Sequence, residues 1–179
     1  KDTLVDKIIL FVSVLGMSLP SFFASIIIAW LFGFVLYNYT GLNMTGSLYE
    51  VDDFGEGKYL QWKNLILPAI VLGIRPLAVV TQLMRNSLLE VLSQDYIRTA
   101  FAKGLSENRV IVAHGVRNSL IPLATGIGGF ITMFFGGSFL IEKTFGIDGI
   151  GLLGYSALVE RDYDIMMGTT AFFTVVGLF

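Results

Sequence analysis

The chain has 179 residues, 54% hydrophobic and only 15% charged, with a mean hydropathy of +0.73. A soluble domain carries about 25% charged residues, so the composition points to a membrane protein. A net charge of −2 argues against a nucleic-acid partner, and the absence of cysteine excludes a disulfide framework or a thiolate metal site.

Residues 8–49 contain no Asp, Glu, Lys or Arg. A membrane-spanning helix needs about 20 mostly apolar residues, so residues 8–37 read as a first span, kinked at Pro20 between Ser18 and Ser21. Residues 38–62 are turn-rich and acidic, with Glu50, Asp52, Asp53 and Glu56 against Lys58. Their spacing does not fit a calcium loop, which needs a glycine at its sixth and a glutamate at its twelfth position; a solvated loop is expected.

Residues 63–84 read as a second span containing Pro68, Pro76 and a buried-looking Arg75. A charge at bilayer depth usually faces a water-filled cavity or a counterion. Arg75 is therefore a candidate for lining a pathway through the membrane or for contact with a partner subunit. The plainer alternative is that it snorkels, or bonds a carbonyl freed by Pro76. Residues 119–141 read as a third span, rich in small residues that let helices approach closely in lipid (Gly126, Gly128, Gly129, Gly136 and Gly137). A fourth starts near Ile165 and is cut off at Phe179, and the chain starts at Lys1 without a methionine, so it reads as a fragment.

The polar segment 85–118 carries five basic residues, Arg85, Arg98, Lys103, Arg109 and Arg117, whereas 142–164 sets Lys143 and Arg161 against five acids. A Lys/Arg excess in short loops marks the cytoplasmic side. The loop around 93–118 is therefore expected inside, the loops 38–62 and 142–164 outside, and the end bearing Lys1 and Lys7 inside.

Within the basic segment the physics predicts a helix, a tight turn and a second helix. Ser93 is placed to cap the first helix and Asp95 lies in its first turn, where the helix dipole favours an anion. Tyr96, Ile97, Ala100 and Phe101 share one apolar face. Lys103 ends the helix and Gly104 fits the left-handed position after it. Ser106 can cap the second helix, and Leu105 and Val110 have the spacing of a hydrophobic staple. Interfacial binding to lipid headgroups and docking of a soluble partner are both compatible with this pattern.

No catalytic constellation is recognisable. The single histidine, His114, has no acidic cluster near it in sequence, and the glycine-rich GIGG and GIDGIG stretches lack the lysine of a phosphate-binding loop. These residues offer no catalytic site.

The stretch DYIRTAFAKGLSENRVIVAHGVRNSLIP resembles the cytoplasmic loop signature of ABC-transporter permeases, in the dipeptide/oligopeptide (and nickel) importer branch. Asp95, Tyr96, Ile97, Arg98, Thr99, Ala100, Ala102, Lys103, Gly104 and Leu105 match it, as do Arg117, Asn118, Leu120 and Pro122. SLPSF, LPAI, NSLLEVLSQDY, IEKTFGIDGIGLL and ERDYDIMMG extend the resemblance over nearly the whole chain. The broader permease consensus differs at Arg98-Thr99-Ala100 and at His114-Gly115-Val116-Arg117, a variant typical of the peptide branch. Asp164 stands where that branch often has proline.

The resemblance implies an all-α, polytopic helix bundle, with residues 1–179 forming a partial permease domain of about four of six spans. It implies that Asp95, Tyr96, Ile97, Arg98, Thr99, Ala100, Phe101, Lys103, Gly104 and Leu105 form a coupling helix and turn. Tyr96, Ile97 and Phe101 would fill an apolar pocket of a cytoplasmic ATP-binding subunit, while Arg98 and Lys103 pair with its acids. The implied partners are a second homologous permease, two ATP-binding subunits holding ATP and Mg²⁺, and an extracytoplasmic solute-binding protein. The outer loop 142–164 would meet that protein or cap the outer mouth. This chain itself would bind no cofactor. Nickel-chelate and glutathione importers share the signature. A secondary transporter or channel is the alternative from another class, but it needs intramembrane carboxylates, and the spans read above contain none.

Overall fold

The computed structural model describes residues 3–51, 58–126, 129 and 138–178, and these are overwhelmingly helical. Helix α1 (Leu4–Ser18) opens with Thr3, whose hydroxyl accepts the Asp6 amide at 3.2 Å. It ends because Leu19, preceding a proline, takes an extended conformation (ψ 126°). Pro20 then starts α2 (Ser21–Trp30), which continues as a π-helical turn, Leu31–Val35, and a short α3 (Tyr37–Thr40). The two halves of the first apolar segment are bent through 108°. The expected kinked span is thus a broken helix pair: Pro20 has no N–H to continue the ladder, and two extended residues separate the halves.

Strands β1 (Tyr49–Val51) and β2 (Lys58–Leu60) form a small antiparallel ribbon, pairing Tyr49 with Leu60 and Val51 with Lys58. Residues 38–62, expected as a solvated loop, therefore include an antiparallel strand pair; Asp52, Asp53 and Glu56 lie outside the described residues. Helix α4 (Lys63–Leu92) has 30 residues and is about 45 Å long, with Pro68 and Pro76 inside it and both buried. Among the described residues it is the one unbroken helix long and apolar enough to cross a bilayer; the bent pair is a second candidate if counted as a single span.

Beyond α4 come α5 (Asp95–Ala102), α6 (Glu107–Arg109), a π-helical stretch Val110–Val116, α7 (Arg117–Ser119) and a helical stretch at 121–126. Most of the glycine-rich part of the expected third span, residues 127–128 and 130–137, lies outside the described residues. The chain then forms α8 (Ser138–Phe145), α9 (Ile150–Glu160) and α10 (Tyr163–Gly177). The segment 142–164, expected as a loop, is mostly helical.

Helix α4 is the spine. Helix α1 runs antiparallel along it: Asp6 meets Arg85, and Ile8 to Gly16 face Ile74 to Thr81. Nearer the start of α4, Leu67 and Val71 form the main core with Ala24 and Ala29 of α2 and with Ile141 and Phe145 of α8. These contacts sort the molecule into two ends. The Gly46 amide donates to the Phe145 carbonyl (2.9 Å) and Asn64 bonds Asn43 and the Ser47 carbonyl, which gathers the ribbon, the start of α4 and the end of α8. The start of α1, the end of α4 and the helix–glycine–helix segment lie at the other.

Candidate functional site

The charged segment is built on the end of α4. Ser93 does not cap α5: its hydroxyl donates to the Glu90 carbonyl (2.7 Å) and closes α4. Gln94 takes the N-cap position without a side-chain bond. Asp95 occupies the first turn of α5, as its charge predicts, and makes an exposed 3.6 Å ion pair with Arg98, an arrangement that contributes little to stability.

The turn after α5 is a complete Schellman motif. The Leu105 amide reaches the Ala100 carbonyl (3.4 Å), the Gly104 amide reaches Phe101 (2.9 Å), and Gly104 has φ +78°. Leu105, thrown back by the turn, packs with Leu92 against Ile97, Ala100 and Val110. The staple read from the sequence is present. Ser106 stands at the cap position of α6, but its side chain makes no capping bond.

The apolar face of α5 divides. Ile97 is 2% exposed and Val110 0%, whereas Tyr96 is 42% and Phe101 46% exposed. Ile97 and Ala100 are thus consumed by the chain's own packing, and Ile97 cannot fill a partner's pocket as the resemblance implies. Tyr96, Arg98, Phe101 and Lys103 form the outward surface. Thr99 is exposed and bonds back to the Asp95 carbonyl (3.0 Å).

Sequence reasoning missed the part that fixes Tyr96. The Asn118 amide donates both to the Tyr96 hydroxyl (3.0 Å) and to the His114 carbonyl (2.9 Å). A helical asparagine 22 residues from its partner leaves no local pattern. Also unforeseen is the π-helical stretch that brings Gly115 against Leu88 and Leu92 of α4. A π-helical turn is uncommon and is often found at functional positions.

Arg75 is not buried within this chain; it is exposed on α4, and among the described residues it makes no hydrogen bond or ion pair. The reading that it bonds a carbonyl freed by Pro76 therefore does not hold. Two further polar fixtures went unread. Arg85 grips Asp6 through Nε–Oδ1 (2.7 Å) and NH2–Oδ2 (2.8 Å), a two-pronged, half-buried pair across α1 and α4. At the other end, the Glu142 carboxylate accepts the Leu152 amide (2.6 Å) at the start of α9. A side chain at Gly149 would run into that carboxylate, and a Cβ on Gly151 would lie 2.7 Å from Ser138 Oγ. The glycines of GIDGIG thus make a notch for a carboxylate of the same chain, which accounts for the motif without a nucleotide.

A spanning-length helix thus leads into an outward-facing helix and glycine turn held in place by the chain's own packing. Residues 1–179 match the family described as binding-protein-dependent transport system inner membrane component, and the chain belongs to that family. It is 35% identical to the dipeptide transport system permease protein DppB of Bacillus subtilis over 176 residues, 98% of this chain and 52% of that protein. It is 39% identical to the DppB of Lactococcus lactis (98% and 53%) and 38% identical to the oligopeptide transport system permease protein AppB of Bacillus subtilis (97% and 54%). The chain spans about half the length of these curated relatives.

Proposed function

We propose that the chain is the greater part of the transmembrane domain of a permease subunit in an ATP-driven peptide importer. Family membership and the names of the peptide-transport relatives support the class. The observation that carries the mechanism is the outward face of α5, where Tyr96, Phe101, Arg98 and Lys103 are presented on a helix that the Ile97–Val110 packing and the Schellman turn hold rigid.

In this reading α5 docks on a cytoplasmic ATP-binding subunit. The two aromatics enter an apolar depression, the two cations meet acids, and Gly104 lets the chain turn away without crowding the partner. Only Ser93 and Gln94 separate α5 from α4, so displacement of α5 is passed to the spine helix. ATP and Mg²⁺ are bound by two ATPase subunits, not by this chain. A second permease completes the pathway and a solute-binding protein delivers the peptide to the outer end, where α9 and the β1–β2 ribbon lie. Closure of the ATPases then drives alternating access.

The test separates docking from folding. Tyr96→Ala with Phe101→Ala should leave membrane abundance unchanged, while co-purified ATPase and peptide uptake fall at least tenfold. Ile97→Ala should instead lower abundance. Normal ATPase recovery in the double variant would remove α5 from the coupling role.

A further inference from the structure

Helix α4 carries a polar stripe that packing among the described residues leaves partly uncovered. At about 100° per residue, Arg75, Val79, Gln82 and Asn86 fall within roughly 60° of one another on the helix surface. Arg75 and Asn86 are exposed and Gln82 half-buried, and none of the three makes a side-chain hydrogen bond among the described residues. Higher up, the same face is buried: Pro68 and Val71 lie on it, and Val71 is part of the core formed with α2 and α8. The covering stops at Arg75. Helix α1 lies against Ile74, Ala78 and Thr81, while the π-helical stretch and α7 lie against Leu88, Leu92 and Met84, so neither covers the stripe.

Arg75 stands about 18 Å along α4 from Lys63, near the midplane of a hydrocarbon core about 30 Å thick. A guanidinium facing lipid at that depth is costly, and intramembrane charges almost always face protein or water. The side-chain amides of Gln82 and Asn86 continue the stripe for about 16 Å from Arg75 toward the α5 end. An arginine fork suits a carboxylate. The amides can donate to and accept from peptide groups, and an extended peptide advances about 3.3 Å per residue, so two or three residues reach from Arg75 to Gln82.

We infer that Arg75, Gln82 and Asn86 line a water-filled passage in which Arg75 holds a carboxylate of the passing peptide and the two amides hold its main chain. This rests on the importer reading above. Single cysteines are placed at Gln82, at Asn86 and, as an apolar control on the opposite side of α4 beside α1, at Leu77, in the complete, assembled transporter cleared of any other thiol. A thiolate, which forms in water, attacks the methanethiosulfonate's outer sulfur, forming a mixed disulfide and expelling methanesulfinate. Gln82→Cys and Asn86→Cys should react and Leu77→Cys should not. With each rate divided by that reagent's rate with free 2-mercaptoethanol, Gln82→Cys should react on the order of fourfold faster with the sulfonate-bearing reagent than with its trimethylammonium counterpart, from one charge at about 10 Å. Arg75→Gln should abolish that preference, Arg75→Lys should keep it, and dialanine should slow the reaction.

Unreactive thiols at both stripe positions, beside a reactive Asn108→Cys in the opened membrane, would overturn the passage. An equal rate for both reagents, a preference that survives Arg75→Gln or is lost in Arg75→Lys, or no slowing by dialanine would overturn the carboxylate site. ATP-driven uptake is measured in the parent transporter, with Arg75, Gln82 and Asn86 intact. A labelling pattern as expected without any ATP-dependent uptake would sink the importer reading and leave the passage standing.

Discussion

Gly104 is the residue whose replacement gives the cleanest answer. Nothing lies within 4 Å of a Cβ built on it, yet its φ is +78°. The penalty of a side chain is therefore purely conformational, about 1–2 kcal/mol for an ordinary residue and more for a β-branched one, with asparagine tolerated better. Gly104→Val should keep the protein in the membrane and cut uptake at least tenfold, whereas Gly104→Asn should retain most of it. Equal uptake by the two, measured at matched abundance, would show that this turn has no part in transport. At Glu142 the packing is tight instead of open. Glu142→Ala removes the acceptor of the Leu152 amide and should cost about 1 kcal/mol, the usual worth of a helix cap, seen as a lower melting temperature of the purified protein.

At the level of elements, the junction of α4, α5 and α6 rests on a small cluster. Ile97→Ala deletes a fully buried side chain and should destabilise the segment by about 2–5 kcal/mol; protease resistance of the 93–118 region reports it. The Asp6–Arg85 pair fastens α1 to α4 at the same end. Losing one member leaves a half-buried charge without its fork, a penalty of about 1–3 kcal/mol. Asp6→Arg should therefore lower abundance, and the reversed pair Asp6→Arg with Arg85→Asp should recover part of it. No recovery would mean that the geometry around the pair, rather than opposite charge, is what matters.

For the whole molecule, the two ends defined by contacts coincide with the two sides assigned from charge. The Asp6–Arg85 pair puts the start of α1 beside the basic segment, while Gly46, Asn64 and Phe145 gather the acidic segments at the opposite end. In a protein cleared of other thiols, Asn108→Cys should react with an impermeant maleimide only after the membrane is opened. A cysteine at Tyr39, 89% exposed near the other end, should react in intact cells. Labelling of Asn108→Cys from outside would reverse the orientation and, with it, the placing of α5 against the ATPases.

What the sequence determined by itself is whatever depends on near neighbours. Residues 8–37, apolar and free of charge, dictate apolar helices, and the Lys103-Gly104-Leu105 run, with Val110 five residues on, dictates a left-handed turn with a staple, because those signals act within one or two helical turns. The long match to a permease loop signature likewise fixed the family. Tertiary structure decided the rest. Pro20, Pro68 and Pro76 look alike in an apolar run, yet Pro20 separates two helices bent through 108° while the other two are absorbed in α4. The difference lies in the packing of α1, α2 and α8 along α4, which offsets the lost hydrogen bonds there. Only packing chose which half of the α5 apolar face turns inward, because Val110, Leu92 and Leu105 gather against Ile97 and Ala100. Ser93 could serve either helix it joins, and the geometry of the junction gave its hydroxyl to Glu90. The pairs Asp6–Arg85 and Tyr96–Asn118, separated by 79 and 22 residues, exist only once the helices lie side by side, because a distance through space that long chain separations leave open is set by the fold alone.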